Sequence, residues 1–201
     1  MVQTQRRTLE EYERFIAEND DRRFEYIEGE IVEVVSNTYS SRIAARILIR
    51  LGNHIESHNL GYIMGADGGY QVGNNRLIPD VGYISKQRQP EPSYETFNPL
   101  PPDLAVEVLS PTDKPRKVYT KIRHYLQAGT VVWLVDPEAK EIDVHIPGQP
   151  EITLRIGDIL DGGNVLRGLN FLTEIHAAEL GFRTYLDNGS LLNYDARFAP
   201  F

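Results

Sequence analysis

The sequence predicts a mixed α/β domain in which helices cover a central sheet. Apolar residues recur at helical spacing over residues 41–58 and again between Pro115 and Gly129. Strongly apolar segments at 104–110 and 130–135 lie on either side of the second helix, an order that joins parallel strands through a crossover helix. Two further strand segments precede residue 104, so the predicted core order is helix, three strands, helix, strand.

A short helix and a β-hairpin precede this core. Residues 8–19 begin with a capping box, in which Thr8 is the N-cap and Glu11 lies three residues further on. The apolar positions of this helix are Leu9, Tyr12, Phe15 and Ile16. Residues 24–35 alternate apolar and acidic side chains around Gly29, which predicts a hairpin with one solvated face.

The middle of the chain holds the longest predicted helix and two strands. The helix at 41–58 carries one apolar stripe, formed by Ile43, Ile47, Leu51 and Ile55. Residues 61–72 and 77–85 are predicted to be two strands joined by a turn at 73–75. Residues 86–102 contain five of the twelve prolines and little periodicity, which predicts a long surface loop.

The last third of the chain is predicted to hold a hairpin, at 141–145 and 152–156, and a short helix at 173–180. No repeat or linker divides the sequence, so we expect a single domain over residues 1–201, with a tail at 181–201. The N-terminal residues are polar, and no stretch approaches the roughly 20 apolar residues that span a bilayer. The sequence therefore predicts a cytoplasmic protein with no membrane partner.

Charge and cysteine content exclude several functions. The chain has 21 Lys and Arg against 29 Asp and Glu, and its formal net charge of -8 argues against loose binding of nucleic acid or anionic membranes. The absence of cysteine excludes disulfides, thiolate zinc sites, iron–sulfur clusters and cysteine nucleophiles. A polyanionic substrate would therefore require a local basic patch or a metal ion.

Two carboxylates occur in strongly apolar segments. Glu107 interrupts the predicted strand at 104–110, and Asp80 follows Pro79 within the apolar segment that begins at Leu77. A buried carboxylate without a partner is costly, and two of them on neighbouring strands form an oxygen site suited to Mg²⁺ or Mn²⁺. The alternatives are structural, because an aspartate after proline is a common turn residue and a strand glutamate often pairs with a lysine.

The helix after Glu107 supplies a local basic patch. Its first ten residues include five cationic side chains and no acidic one: Lys114, Arg116, Lys117, Lys121 and Arg123. Lys117 and Lys121 lie one turn apart at the edge of the apolar stripe, and Lys121 is placed to reach back toward the sheet. For Arg116 and Arg123, a solvated position is the expected alternative.

Several motifs occur together along the chain. They are PDV at 79–81, PPDLAVEVLSPTD at 101–113, Lys121 followed by Tyr125, Gly129, VVWLVDP at 131–137, and the leading FEYIEGEIVEV at 24–34. Together they resemble the Uma family of restriction-endonuclease-like proteins, which belongs to the PD-(D/E)XK nuclease superfamily. The resemblance covers about residues 8–180.

This resemblance implies a restriction endonuclease-like fold, with an αβββαβ core, an N-terminal helix and a β-hairpin. It also implies that Asp80 and Glu107 bind a divalent ion, Mg²⁺ or Mn²⁺, and that the Val108 backbone carbonyl adds a ligand. The superfamily pattern places a lysine two residues after the acid, where this chain has Leu109. The catalytic lysine must therefore be displaced.

Lys121 is the first candidate for the displaced lysine and Lys117 is the second. Glu25 matches the glutamate of the family's opening hairpin, so it is a further candidate for the acidic site. A solvated hairpin charge is the equally expected alternative for Glu25.

The implied activity is Mg²⁺-dependent phosphodiester hydrolysis by a DNA endonuclease that assembles as a homodimer. Two alternatives stay open. The chain is a catalytically silent nuclease-like module that works through protein or nucleic-acid binding, or it keeps the metal site and acts on a small phosphodiester.

Overall fold

The computed structural model describes residues 6–176 and 179–184. Within them the helices are α1 (Leu9–Ala17), α2 (Thr38–Ser57) and α3 (Pro115–Gln127). One sheet has the strand order β2 (Glu30–Glu33), β1 (Phe24–Ile27), β5 (Asn75–Leu77), β4 (Gly69–Val72) and β7 (Phe97–Asn98). The largest sheet has the order β11 (Ile152–Leu154), β10 (Glu141–His145), β9 (Val131–Asp136), β8 (Leu104–Val108), β6 (Val81–Ser85) and β3 (Gly61–Gly65). A third sheet contains β12 (Ile159–Asp161), β13 (Asn170–His176) and β14 (Glu179–Thr184).

Strand β8 lies inside the largest sheet and separates two hydrophobic layers. It pairs antiparallel with β6 and parallel with β9, and α3 forms the crossover between β8 and β9. Leu104, Val106 and Val108 pack with the buried stripe of α2, whereas Ala105 packs with Ile122 of α3 on the other face. Because side chains alternate along a strand, Glu107 shares the α3 face with Ala105. The predicted α/β class and the order of the core elements are confirmed.

The capping signal predicted the start of α1 correctly, whereas the start of α2 was predicted too late. The capping box of α1 is present, with the Thr8 hydroxyl accepting from the Glu11 N–H and the Glu11 carboxylate accepting from the Thr8 N–H. Helix α2 begins three residues before its predicted start. The reason is Asn37, whose side chain accepts hydrogen bonds from the N–H groups of Tyr39 and Ser40 and caps the helix there.

The two strands predicted at 61–72 and 77–85 are in fact four, shared between two sheets. β3 and β6 pair in the largest sheet, and β4 and β5 pair in the neighbouring one. The chain changes sheet at residues 66–68 and again near Pro79, which has no N–H to continue a ladder. The predicted loop at 86–102 also contains a short strand, β7, which pairs parallel with β4.

Two further predictions are wrong in the described residues. The short helix predicted at 173–180 is an antiparallel hairpin of β13 and β14. The first strand of the N-terminal hairpin has no solvated face, because all four residues of β1 are buried. The predicted tail at 181–201 lies, from residue 185 on, outside the described residues.

None of the helices in the described part of the chain has the length and apolar character required to cross a bilayer.

The close approach of β6 to Tyr70 gives a test of the packing between the two large sheets. A Cβ at Gly82 would lie 2.4 Å from the Tyr70 ring, which is fully buried. We expect Gly82→Ala to lower the free energy of unfolding by about 1–3 kcal/mol, because the well-packed ring has no space to retreat. Urea unfolding measures this change.

Gly52 of α2 is the matched control, since the nearest atom to its added Cβ is 3.8 Å away. Gly52→Ala should raise the free energy of unfolding by about 0.5–1 kcal/mol, the usual gain from removing a helical glycine. Equal stability of Gly82→Ala and the parent protein would contradict the packing of Tyr70 on β6.

Candidate active site

Asp80 and Glu107 lie side by side because of the register between β6 and β8. Val81 is paired with Val106, so the next antiparallel pair outward is Asp80 with Glu107. The Val108 N–H donates a 2.7 Å hydrogen bond to Asp80 Oδ2, which fixes the aspartate against the end of β8. The pairing of these two carboxylates, predicted from their apolar segments, follows from this register.

Glu25 approaches the same place from the neighbouring sheet. It lies in β1 and is only 5% exposed. Its Oε1 atom accepts a 2.8 Å hydrogen bond from the Ile78 N–H, in the segment that joins β5 to β6. The structure therefore rejects the solvated position considered for Glu25 and places its carboxylate beside the sheet junction.

Lys121 joins the two glutamates. Its Nζ atom is 2.8 Å from Glu25 Oε1 and 2.8 Å from Glu107 Oε1, and it donates a 2.8 Å hydrogen bond to Glu107 Oε2. At the middle of α3, the lysine side chain points inward because its position borders the buried stripe of Ile122 and Tyr125. Its side chain is 12% exposed, so this bridge is largely withdrawn from water.

The cluster holds more negative than positive charge when all its groups are ionised. Burial raises the pKa of Glu107 to about 8, with Glu25 and Asp80 adding to the effect and Lys121 opposing it. Burial also raises the pKa of Asp80, while the Val108 N–H and Lys121 oppose that shift. For Lys121, burial disfavours the ammonium, but Glu107 and Glu25 outweigh it and raise the pKa of the lysine above its usual value. One ammonium thus contacts two carboxylates, and a third, that of Asp80, lies close enough to feel its charge.

This arrangement fits a divalent cation with few protein ligands. Among the described residues, no three His, Cys, Asp or Glu side chains group at the spacing of a complete metal cage. Mg²⁺ typically binds one or two carboxylates and keeps several waters, and the carboxylates of Asp80 and Glu107 provide such a donor set. The unbalanced negative charge of the cluster favours an added dication at this place.

The other predicted site residues lie as follows. Lys117 does not reach the cluster, because its ammonium is 3.2 Å from Glu30 on the exposed side of the hairpin. Arg123 pairs with Glu28 at the hairpin tip and is half-exposed, which agrees with the solvated position considered for it. The Val108 contribution seen in the structure is its N–H bond to Asp80, and a role for its carbonyl stays a prediction.

Tyr125 is a neighbour of the cluster to which the sequence reasoning assigned no role. It is fully buried on α3, one turn after Lys121. Burial raises the pKa of its hydroxyl well above the usual value, with Glu107 and Glu25 adding to the effect. Its spacing of four residues from Lys121 was the available signal, since residues four apart share a helix face.

The fold and the buried acid–lysine cluster define a nuclease-like α/β protein. A crystal structure from Anabaena variabilis ATCC 29413, titled as a "putative nuclease belonging to DUF820", shares the fold with a TM-score of 0.64 and 23% identity, over 70% of this chain and 81% of that one. The profile of the Uma2 family, described as "Putative restriction endonuclease", matches residues 9–177. The chain belongs to the Uma2 family, which confirms the resemblance found in its motifs. No curated protein matches it.

Proposed function

We propose that this protein is a Mg²⁺-dependent endonuclease that hydrolyses phosphodiester bonds in DNA, with Mn²⁺ as an alternative ion. The observation that carries the proposal is the pairing of the buried Lys121 ammonium with Glu25 and Glu107, next to Asp80, which is held by the Val108 N–H. A buried charge cluster of this kind costs folding energy, so its presence where the two large sheets meet favours a functional role. Membership in the family described as "Putative restriction endonuclease" supports the same activity.

Each group of the cluster has a role in the proposed reaction. Asp80 and Glu107 hold the cation, and the Val108 carbonyl is the proposed additional ligand. When bound there, such a cation would supply Lewis-acid polarisation of a phosphoryl oxygen and would lower the pKa of a coordinated water. Lys121 orients the attacking water or screens the negative charge that develops on the phosphate. Glu25, itself held by the Ile78 N–H, positions the lysine ammonium.

The net charge of -8 is compatible with this substrate because the charges are unevenly distributed. Ten acidic residues lie within the first 35 positions, whereas the first ten residues of the α3 segment carry only basic charges. The protein should therefore bind DNA through local contacts rather than through its overall field. We also infer a cytoplasmic location and a homodimer, in keeping with the expectation from the family resemblance.

Cleavage and metal binding are tested separately. The protein is incubated with plasmid and single-stranded DNA in Mg²⁺ or Mn²⁺, and EDTA should abolish the cleavage that we expect. Mg²⁺ alone, at one hundred times its Kd, should stabilise the fold by about 2.7 kcal/mol, and each kcal/mol raises Tm by about 2–4 °C. A protein that shows neither effect would instead be the catalytically silent binding module.

A further inference from the structure

A groove of about 570 Å³ is lined by residues that precede or belong to α1, by the N-terminal hairpin and by the start of α3, one turn before Lys121. Its cationic lining residues are Arg7, Lys114 and Lys117. Phe15 and Phe24 contribute an apolar wall and form an edge-to-face pair with ring centroids 4.8 Å apart. The groove therefore combines cationic and aromatic surfaces, the two elements of nucleic-acid strand binding.

The anionic residues of this groove are already paired. Glu30 is 3.2 Å from Lys117, and Glu33 pairs with Arg22. Within the described residues, no ion pair is formed by the exposed side chains of Arg7 and Lys114. Two cations therefore remain available for a ligand, and that ligand should be an anion.

A stripe of lysines connects the groove to the carboxylate cluster. Lys114 is the N-cap of α3, and Lys117 and Lys121 follow it four residues apart, so these two lie about 40° from each other around the helix. At 1.5 Å per residue, Lys114 lies about 10 Å along the helix axis from Lys121. Phosphates of one B-form strand recur about every 3.4 Å along the duplex axis, so this distance corresponds to about three nucleotides.

We propose that the groove binds the nucleic-acid strand that flanks the scissile phosphate, about three nucleotides from the bond to be cut. Arg7 and Lys114 contact the backbone phosphate, and the nucleotide turns its apolar surface toward Phe15. The inference rests on the proposed function, because the position of the scissile phosphate is taken from the carboxylate cluster. The proposal adds the groove to the carboxylate cluster as a second binding region, and the ligand of the groove is a polynucleotide.

Binding of a labelled oligonucleotide tests the groove without requiring cleavage. Fluorescence anisotropy is measured in Ca²⁺ at several salt concentrations for the parent protein and for Arg7→Ala and Lys114→Ala. Each variant should weaken binding by about 3–10-fold and reduce the slope of log K against log salt by about one, as expected for loss of one phosphate contact. Both side chains are exposed, and the bonds made by Arg7 to Gly29 and Tyr26 use only its backbone, so the fold should persist.

Lys86→Ala is the matched control. Lys86 follows β6 at the end of the sheet opposite Asp80 and Glu107, and its ammonium contacts Asn59. This variant should retain the affinity and the salt slope of the parent protein. Unchanged slopes for Arg7→Ala and Lys114→Ala, or no oligonucleotide binding by the parent protein, would overturn the groove proposal.

The groove and the proposed function can fail independently. Cleavage by the parent protein together with unchanged salt slopes would leave the endonuclease and reject the groove. Reduced slopes in a protein that never cleaves would support the groove as a strand-binding surface and reject the enzymatic activity.

Discussion

Glu107→Gln should reduce DNA cleavage by about 10³-fold, the range observed when one group that stabilises transition-state charge is removed. Glutamine has nearly the shape of glutamate but no negative charge, so it removes one of the two carboxylate ligands without leaving a cavity. Lys121 keeps its 2.8 Å contact with Glu25 in this variant, which should preserve the local structure. Initial rates of plasmid nicking in Mg²⁺ measure the loss, and the Tm increase caused by Mg²⁺ should shrink in parallel.

The matched control is Glu138→Gln. Glu138 is exposed in the turn between β9 and β10, and its backbone N–H, not its side chain, donates a hydrogen bond to Asp136. It should cleave at the parental rate. Cleavage by Glu107→Gln at the parental rate would assign the activity to a contaminating nuclease and remove Glu107 from the site.

The same substitution should change the pH dependence of stability in metal-free protein. The pKa of Glu107 is raised by burial to about 8 in the folded protein, from an ordinary value of 4.5. Between these values the folded state keeps a proton that the unfolded state has released, so this group's contribution to stability is lost as pH rises through that window. Glutamine cannot titrate, and the stability of Glu107→Gln relative to the parent should therefore increase from pH 5 to pH 8.

Urea unfolding in EDTA at both pH values measures this difference directly. Comparing the variant with the parent cancels the contributions of all other titrating groups that keep their environment. Parallel stability profiles for the two proteins would mean that Glu107 is already ionised throughout this pH range.

The parts of the site carried by single elements were predictable from the sequence. Pro115 begins α3, Gly129 has a positive φ of 81° just after it, and the apolar stripe between them fixes which face is buried. Once the buried face is known, the inward direction of Lys121 follows from the rotation of about 100° per residue around an α-helix. The interruption of an apolar strand by Glu107 was equally local, because strand periodicity alone places it on the face that α3 covers.

Contacts between distant elements were not predictable in the same way. The alternating acidic pattern around Glu25 is typical of a half-solvated hairpin, yet β1 is covered by α1 on one side and by the sheet junction on the other. The division of residues 61–72 between two sheets also depends on contacts with distant elements. Both halves have an ordinary strand composition, so nothing in the segment itself indicates the division. The local sequence pattern predicts which side chains are buried, but it does not predict which sheet each strand will join.

Removing the ammonium of Lys121 should have the largest effect on stability of any change in the cluster. Lys121→Met keeps an unbranched apolar side chain of similar size, but leaves Glu25 and Glu107 without their shared cation and removes a positive charge near Asp80. Breaking a buried pair in this way typically costs about 3–5 kcal/mol, and we expect that loss in metal-free protein at neutral pH. Lys117→Met, which breaks only the exposed pair with Glu30, should cost less than about 1 kcal/mol.

The double variant Lys121→Met, Glu25→Gln separates charge balance from chemistry. It removes one charge of each sign, so it should recover much of the stability lost in Lys121→Met. Cleavage should stay about 10²–10³-fold below the parental rate in both variants, because neither has an ammonium beside the phosphate. Mg²⁺ should still raise Tm in both, since Asp80 and Glu107 remain. Loss of both cleavage and the Mg²⁺-induced increase in Tm would mean that Lys121 acts only by holding the carboxylates in place. Restored cleavage in the double variant would mean that the lysine takes no part in the reaction.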